Sequence, residues 1–222
     1  MKTKSYLKLK ERPAATVNLI GGRLCLDFIN TIGARRTKPS GEMYIRDEKL
    51  NDYFDLIAWA EHAGVFNGGE VRALEKLALV RPRQARDTLR AALRLREALY
   101  GIFKSILLKR RPEPENIDVL NDWLRAARSA LEIRSHRFGF RWQWGKPKIS
   151  LERILWLVCE SAGQLLTEGD LSRLRQCGGD DCGWIFEDRT RNRSRHWCDT
   201  RDCGNRDRVR RFRRKHEPTG EL

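Results

Sequence analysis

The chain has 222 residues, 45 Lys and Arg against 30 Asp and Glu, a formal net charge of +15 and a pI near 10.0. Its longest uncharged apolar run, Ile154 to Cys159, is far shorter than the roughly 18 residues that a membrane span needs, and no apolar segment follows the basic N-terminus. These features argue against a membrane protein, a secreted precursor and a disulfide-stabilised miniprotein, and they predict a folded cytoplasmic protein with a very polar surface.

Residues 16–170 are predicted to form one α+β domain, rich in helices and with a few antiparallel strands. Near its start, apolar residues alternate with other residues from Leu24 to Phe28 after a Gly-Gly turn, and this pattern predicts either a strand or a passage from strand to helix. A polar loop is expected over residues 34–42, which are mostly Arg, Lys, Pro, Ser and Gly.

The middle of the domain shows apolar residues at helical spacing. Gly64 is a plausible C-terminal stop for the first helix, and Pro82 can open the third, since its missing N–H costs nothing at the first helical position. The predicted helices cover about residues 50–63, 71–80, 82–110, 117–131 and 151–167. Between the last two helices, alternation in residues 131–138 and 140–144 predicts a hairpin or two short strands.

Positive charge is concentrated near the C-terminus. Residues 189–216 contain 12 Lys and Arg and 3 Asp, so this segment carries +9, and the rest of the chain carries +6. Lysine and arginine gain free energy by displacing counterions from phosphates, so this cluster indicates a polyanionic partner. A weaker basic cluster at residues 2–12 carries +4. It is interpreted as part of a disordered basic arm over residues 1–15.

Four of the six cysteines form two equal pairs, Cys177 with Cys182 and Cys198 with Cys203, separated by fifteen residues. Two short pairs at this distance can converge on one tetrahedral ion, and a site of four thiolates leaves no open position for water or substrate. The spacing therefore predicts one structural Zn²⁺ in a small module over residues 171–216. The adjacent His196 is an alternative ligand, but four thiols already complete the set.

The two remaining cysteines, Cys25 and Cys159, stand alone in apolar surroundings and are interpreted as buried core residues. After the last paired cysteine, residues 207–216 form a helix candidate. Val209, Phe212 and His216 fall within one sector of a helical wheel and are predicted to dock on the zinc module. The expected nucleic-acid contacts are arginines on the other side of this helix and in the preceding loop: Arg206, Arg210, Arg213, Arg214, Arg191 and Arg193.

The string from Cys203 to Arg206 resembles the signature of the bacterial CGNR zinc-finger proteins, and Arg195 to Cys198 agrees with it. The string from Leu26 to Thr31 is similar to the LDFxNT motif of the ABATE domain, which accompanies this finger. The resemblance covers about residues 17–215. It implies a stress-induced transcription regulator, with an α+β domain followed by a treble-clef-like zinc module that binds DNA.

The role of the first domain has two interpretations at this level. Asp27 and Asn30 are polar residues in an apolar segment, and they either line a ligand pocket for a small-molecule effector or hydrogen-bond to nearby loop backbone. The domain is expected to act as a sensor or as a dimerisation unit in a homodimer. Residues 217–222 are expected to be a tail.

Other function classes remain open. The same basic cluster would serve an RNA-binding protein. A finger that binds other proteins is a further alternative, and it would be favoured if the first domain covered the arginine face. The sequence contains no P-loop, no G-x-G-x-x-G, no H-E-x-x-H and no nucleophile elbow. We therefore expect a protein that is not an enzyme, with a small-molecule-processing enzyme carrying a structural zinc module as the alternative.

Overall fold

The structure, a computed structural model, describes residues 9–37, 43–145 and 149–216. Within these ranges the chain forms helices and short β-hairpins, which confirms the α+β prediction. The helices are α1 (Leu24–Ile29), α2 (Tyr53–His62), α3 (Gly68–Val80), α4 (Pro82–Leu107), α5 (Pro114–Ser129), α6 (Arg153–Glu168) and α7 (Asn205–His216). The strands are β1 (Ile32–Thr37), β2 (Met43–Glu48), β3 (Leu131–His136), β4 (Gly139–Trp144), β5 (Leu174–Gln176) and β6 (Ile185–Glu187).

The strands of the described residues form three separate two-stranded antiparallel sheets, each joining strands that are consecutive in the chain. Ile32 pairs with Glu48 in the first sheet, and Ile133 pairs with Trp142 in the second. In the third, β5 and β6 lie on either side of the first cysteine pair. The hairpin predicted over residues 131–144 is confirmed.

Helix α1 replaces the strand that the alternating pattern predicted. Cys25, Leu26, Phe28 and Ile29 are all fully buried, and the N–H of Asn30 donates to the Leu26 carbonyl. Because α1 packs against α4, α6 and β6, nearly every side of this short helix is covered. A short apolar run that is buried on all sides carries no readable period, so the strand alternative was wrong and this segment is a helix.

Helices α2 to α6 follow the predicted spacing. Asp52 and Asn67 close capping boxes at the starts of α2 and α3, and Pro82 occupies the first turn of α4 as expected. Helix α4 contributes Leu95, Leu99 and other buried residues to the main core. No helix among the described residues combines the length and the apolar character needed to cross a bilayer.

The strand β1 includes residues 34–37, which were expected to lie in a polar loop. Two buried arginines tie this first sheet to α4. Arg96 binds Glu48 at 2.6 Å, and Arg35 binds Glu97 at 3.0 Å while its guanidinium lies 3.8 Å from the centre of the Tyr100 ring. The loop prediction failed for β1 because Arg35, a charged residue within it, is held by Glu97 and Tyr100 on α4. Residues 38–42 lie outside the described residues.

The disordered arm expected over residues 1–15 is wrong for residues 9–15. Leu9 is buried in the main core, and a 3₁₀ turn runs over Pro13–Thr16. Arg12 binds the carboxylates of Asp52 and Asp55 at 2.8 and 2.7 Å. Buried Leu9 and Ala14, together with the bridging Arg12, therefore hold this segment on α2. Residues 1–8 and the expected tail at 217–222 lie outside the described residues.

Candidate metal centre and basic helix

The four paired cysteines meet at one point in the structure. Their sulfur atoms all lie within 4.8 Å of one another, and all four residues are buried. The Sγ atom of Cys198 lies 3.6 Å from that of Cys182 and 3.4 Å from that of Cys203. Isolated Cys25 and Cys159 lie in the main core, where burial raises the pKa of the Cys25 thiol to about 12.

The geometry of this cluster fits a tetrahedral ion. Four sulfurs at about 2.3 Å from a Zn²⁺ ion would lie about 3.8 Å from one another, close to the separations seen here. Backbone N–H groups also point at the sulfurs: Cys198 N–H and Gly179 N–H donate to Cys177 Sγ at 3.3 and 3.5 Å. Donors of this kind stabilise thiolates, which are the metal-binding form of cysteine.

Charge in the cluster is offset by its surroundings. Arg206 donates to Cys203 Sγ at 3.1 Å and binds Asp202. A guanidinium against the sulfur cluster compensates the negative charge that four thiolates and a divalent cation leave.

A small apolar shell surrounds the cluster. Phe186 is fully buried against the cysteines, with Ile20, Trp184 and Trp197 packed around it. The Arg195 guanidinium lies 4.2 Å from the centre of the Phe186 ring and donates to the carbonyl oxygens of Trp197 and Ile20. Because Arg195 contacts Phe186 and these two carbonyl oxygens, it stabilises the finger and is not available to contact nucleic acid. His196 stacks edge-on against Trp197 and does not belong to the four-sulfur set.

The loop between the two cysteine pairs is organised by Asp188, which is fully buried. Its carboxylate accepts hydrogen bonds from the N–H and hydroxyl of Thr190 and from the N–H of Arg195. Burial alone would raise the pKa of Asp188, but these hydrogen bonds outweigh it and the pKa is lowered. The sequence analysis did not single out Asp188, because its role depends on the loop donors Thr190 and Arg195 and not on a metal-ligand spacing.

The finger is joined to the first domain by backbone hydrogen bonds. The side chain of Asn30 donates to the Ile185 carbonyl at 2.9 Å and accepts from the Ile185 N–H at 3.2 Å. The Glu187 N–H donates to the Gly21 carbonyl at 2.8 Å, and the Arg35 N–H donates to the Cys182 carbonyl at 3.0 Å. Ile185 belongs to the main core, whereas its neighbour Phe186 belongs to the cysteine cluster. Strand β6 thus contributes side chains to the main core and to the cysteine cluster.

These contacts correct the expectation of a ligand pocket at Asp27 and Asn30. Asn30 is fully buried, and its amide is used by β6. Asp27 accepts from the Gly21 N–H at 2.7 Å, and burial raises the pKa of Asp27 to about 6. Both side chains hydrogen-bond to backbone, as the alternative interpretation predicted, although the backbone that Asn30 binds is 155 residues away.

Helix α7 begins two residues after Cys203 and contains no buried residue. Among the described elements it packs mainly on the turn Thr200–Gly204. Val209 is 44% exposed and Phe212 is 64% exposed, so their predicted docking on the zinc module is wrong. The apolar sector of α7 faces outward because the finger's own core is already filled by Phe186 and the two tryptophans.

The six arginines predicted to contact nucleic acid divide into two groups. Arg206 lies against Cys203, Arg210 binds Asp180, and Arg193 binds Asp170 at 3.2 Å. The other three, Arg191, Arg213 and Arg214, are exposed and have no ion pair within the described residues. The same is true of Arg208 and Lys215, which the sequence analysis did not single out. This unpaired set is Arg191, Arg208, Arg213, Arg214 and Lys215.

A cavity of about 550 Å³ lies where the first domain meets the first cysteine pair. Lys104 hydrogen-bonds to Gln176 in its wall, and burial lowers the pKa of the Lys104 ammonium. The Nε of Arg35 is buried without a hydrogen-bond partner. The cavity wall includes Arg35, Tyr44, Tyr100, Lys104, Gln176 and Asp180.

Comparison with known proteins finds two family models that match consecutive parts of the chain. The ABATE family model, described as "putative stress-induced transcription regulator", matches residues 22–169. The CGNR zinc finger model matches residues 173–216. No curated protein matches the chain.

Proposed function

This chain belongs to the ABATE family, and we propose that it is a cytoplasmic DNA-binding transcription regulator in which Zn²⁺ holds the CGNR finger and helix α7 contacts DNA. The proposal assigns no catalytic step to the chain. Four thiolates close the metal site, so the ion would fix structure and would not present an open position to a substrate.

One observation carries this proposal: α7 leaves the metal cluster with both its basic and its apolar residues exposed. The helix contains seven Lys and Arg and one Asp, and it has no buried residue. Five bases in and before it are free of ion pairs within the described residues. Basic side chains that are not neutralised by their own protein are available to displace counterions from phosphates.

The shape of α7 suits a DNA groove. Its 12 residues span about 18 Å, and an α-helix fits the major groove of B-DNA. On a helical wheel the apolar sector of Val209 and Phe212 lies between Arg213 on one side and Arg208 on the other. This arrangement would set apolar side chains toward base edges, such as the thymine methyl, while the flanking arginines reach phosphates.

The metal centre would position this helix. Asn205 starts α7 directly after the turn that holds Cys203, and Arg206 is fixed on the Cys203 sulfur. A bound Zn²⁺ would therefore restrain the first turn of α7, so that the distal residues Arg213 and Arg214 project from a rigid base. Preorganisation of this kind lowers the entropy that binding must otherwise offset.

We also infer a sensor role for the first domain, supported by the cavity at its junction with the finger. Lys104 and Tyr100 on α4 face the loop that carries Cys177, so a polar anionic effector there would contact both parts of the chain. Thermal-shift screening of small carboxylates and phosphates tests this role. Stabilisation of the wild type but not of Lys104→Met would support it, and no stabilisation by any of them would contradict it.

The DNA-binding proposal is tested by titrating duplex DNA at several salt concentrations. If about five phosphates are neutralised, log K should fall with log salt with a slope of about −4.5. The double variant Arg213→Gln with Arg214→Gln should reduce the slope by about 1.8 and weaken binding at low salt. A slope near zero for the wild type would remove the electrostatic basis of the proposal.

A matched control keeps the same change of charge away from the finger. Arg83 and Arg86 are exposed on α4 and, like Arg213 and Arg214, have no ion pair within the described residues, so their double change to Gln should leave the slope unchanged. If both double variants weaken binding equally, α7 is not the contact surface. Duplex RNA competing better than duplex DNA at matched salt would favour the RNA-binding alternative.

A further inference from the structure

The β3–β4 hairpin carries an apolar face that the described residues leave largely uncovered. Cross-strand pairing places Ile133 opposite Trp142 and Ser135 opposite Phe140, so these four side chains share one face. Ile133 is 60% exposed, Trp142 is 67% exposed and Phe140 is 77% exposed. Large apolar side chains concentrated at this level of exposure mark an interaction surface.

The base of this face is anchored in the main domain. Leu131 and Trp144 are paired at the start of the hairpin and half-buried, and the Trp144 ring lies 5.4 Å from that of Trp156 on α6. The Gly145 N–H donates to the Ala130 carbonyl at 2.7 Å. The hairpin is therefore a firm extension of the core whose apolar side continues outward beyond the domain.

Charge is segregated between the two faces of the hairpin. The apolar face contains no charged residue, whereas Glu132, Arg134, His136 and Arg141 alternate onto the opposite face. A nucleic-acid ligand stacking on the aromatic rings would need cations beside them for its phosphates. The nearest cations of the strands point the other way, so this face is poorly suited to nucleic acid.

We propose that the apolar face of the β3–β4 hairpin is a dimerisation surface whose occupant is the same face of a second copy of this chain. Two copies each carry +15 and repel each other, so a stable contact between them requires a surface free of charge. A two-fold axis through the hairpin would bring identical faces together, as isologous interfaces do. Ile133 and Trp142 would then pack across the axis as two facing sheets about 10 Å apart.

The exposed apolar area of the hairpin is close to the area that a dimer interface buries. The exposed parts of Ile133, Phe140 and Trp142, with Phe138 at the tip, amount to about 500–700 Å² per protomer. A standard interface buries about 800 Å² per partner, so the hairpin supplies most of the area and its rim would supply the rest. This dimer contact is separate from the proposed DNA-binding function of α7, and it can be tested without any nucleic acid.

The test measures the mass of the full-length, metal-loaded protein by light scattering across a concentration series. The wild type should reach twice the monomer mass of 26.0 kDa at micromolar concentration. Ile133→Asp and Trp142→Asp should each raise the dimer dissociation constant on the order of 100-fold, because each places an unpaired charge in the interface. Trp142→Phe should retain the dimer.

The control is Gln143→Asp, which adds the same charge to the opposite face of β4 and should leave the dimer intact. Circular dichroism and thermal unfolding of every variant separate loss of assembly from loss of fold, and we expect all four to fold because the changed positions are at least partly exposed. A wild type that stays monomeric, or a dimer that survives both aspartates on the apolar face, would overturn the proposal and leave this face to a different protein.

Discussion

Asn30 and Ile185 are 155 positions apart in the chain and are joined by two hydrogen bonds, in which the asparagine amide serves both the N–H and the C=O of the isoleucine. Both residues are fully buried. Asn30 thus satisfies the backbone of β6 in the way that a neighbouring strand would, and this links the LDFxNT segment of the first domain to the strand that leaves the first cysteine pair.

Replacing Asn30 with alanine should destabilise the protein by about 2–4 kcal/mol, because it leaves a buried N–H and a buried C=O of Ile185 without partners. Chemical denaturation measures this change. Hydrogen exchange should also speed up in β5 and β6, since their anchor on α1 is lost. Asn51→Ala is the matched control: its exposed side chain makes one bond, to the Glu48 carbonyl at 3.3 Å, and its loss should change stability by less than about 0.5 kcal/mol.

Removing the metal should affect both parts of the chain. Cys198→Ser should abolish the binding of one Zn²⁺ per chain and should abolish DNA binding, because α7 loses its fixed start. The thermal midpoint of the whole protein should fall as well, since Leu174 and Ile185 of the finger belong to the main core. Metal analysis and calorimetry measure these effects.

The control for this prediction is Cys159→Ala, which changes a buried cysteine outside the cluster. It should lower stability through the lost packing while retaining the full metal content. A Cys198→Ser protein that keeps the wild-type midpoint would show that the stability of the first domain does not depend on the metal-held finger.

Replacing Phe212 with alanine should weaken DNA binding and leave the free energy of unfolding within about 0.5 kcal/mol of the wild type, because the ring is 64% exposed and stacks on its helix neighbour His216. Phe186→Ala should instead cost about 3–5 kcal/mol, since Phe186 is fully buried in the finger. A large loss of stability in the Phe212 variant would contradict the outward orientation of the apolar sector.

Asp27→Asn should make the protein more stable near pH 7. Burial raises the pKa of Asp27 to about 6, so the folded state retains a proton that the unfolded state has released from about pH 4 upward. Stability is therefore lost as pH rises from about 4 to about 6, and the loss is at most about 3 kcal/mol, reduced by partial solvent exposure. The asparagine keeps an acceptor for the Gly21 N–H and removes the titration.

The measurement for Asp27 is the difference in unfolding free energy between variant and wild type at pH 5 and pH 7. This difference cancels the effect of acid on the metal site, which both proteins share. It should be larger at pH 7, and an equal difference at the two pH values would show that the carboxylate is already ionised at pH 5. Nearby Arg189, Arg195 and His62 act in that direction by favouring the charged form.

Several features of this protein follow from local sequence. The spacing of Cys177, Cys182, Cys198 and Cys203 predicted the four-sulfur cluster, because short pairs can only close on a common point through tight local turns. The start of α4 at Pro82 and the hairpin over residues 131–144 were predictable for the same reason: fixed dihedral angles and side-chain alternation act between near neighbours.

Other features depend on contacts between distant parts of the chain. Burial on all sides turned the LDFxNT segment into α1, and the free backbone of Ile185 gave Asn30 its partner. The acidic residues Asp170 and Asp180, brought close by the fold, pair with arginines that the sequence had assigned to DNA, while a filled finger core left Phe212 outside. Local patterns determine which elements form and where thiolates converge, but only tertiary packing decides which charges are neutralised and which apolar faces remain uncovered.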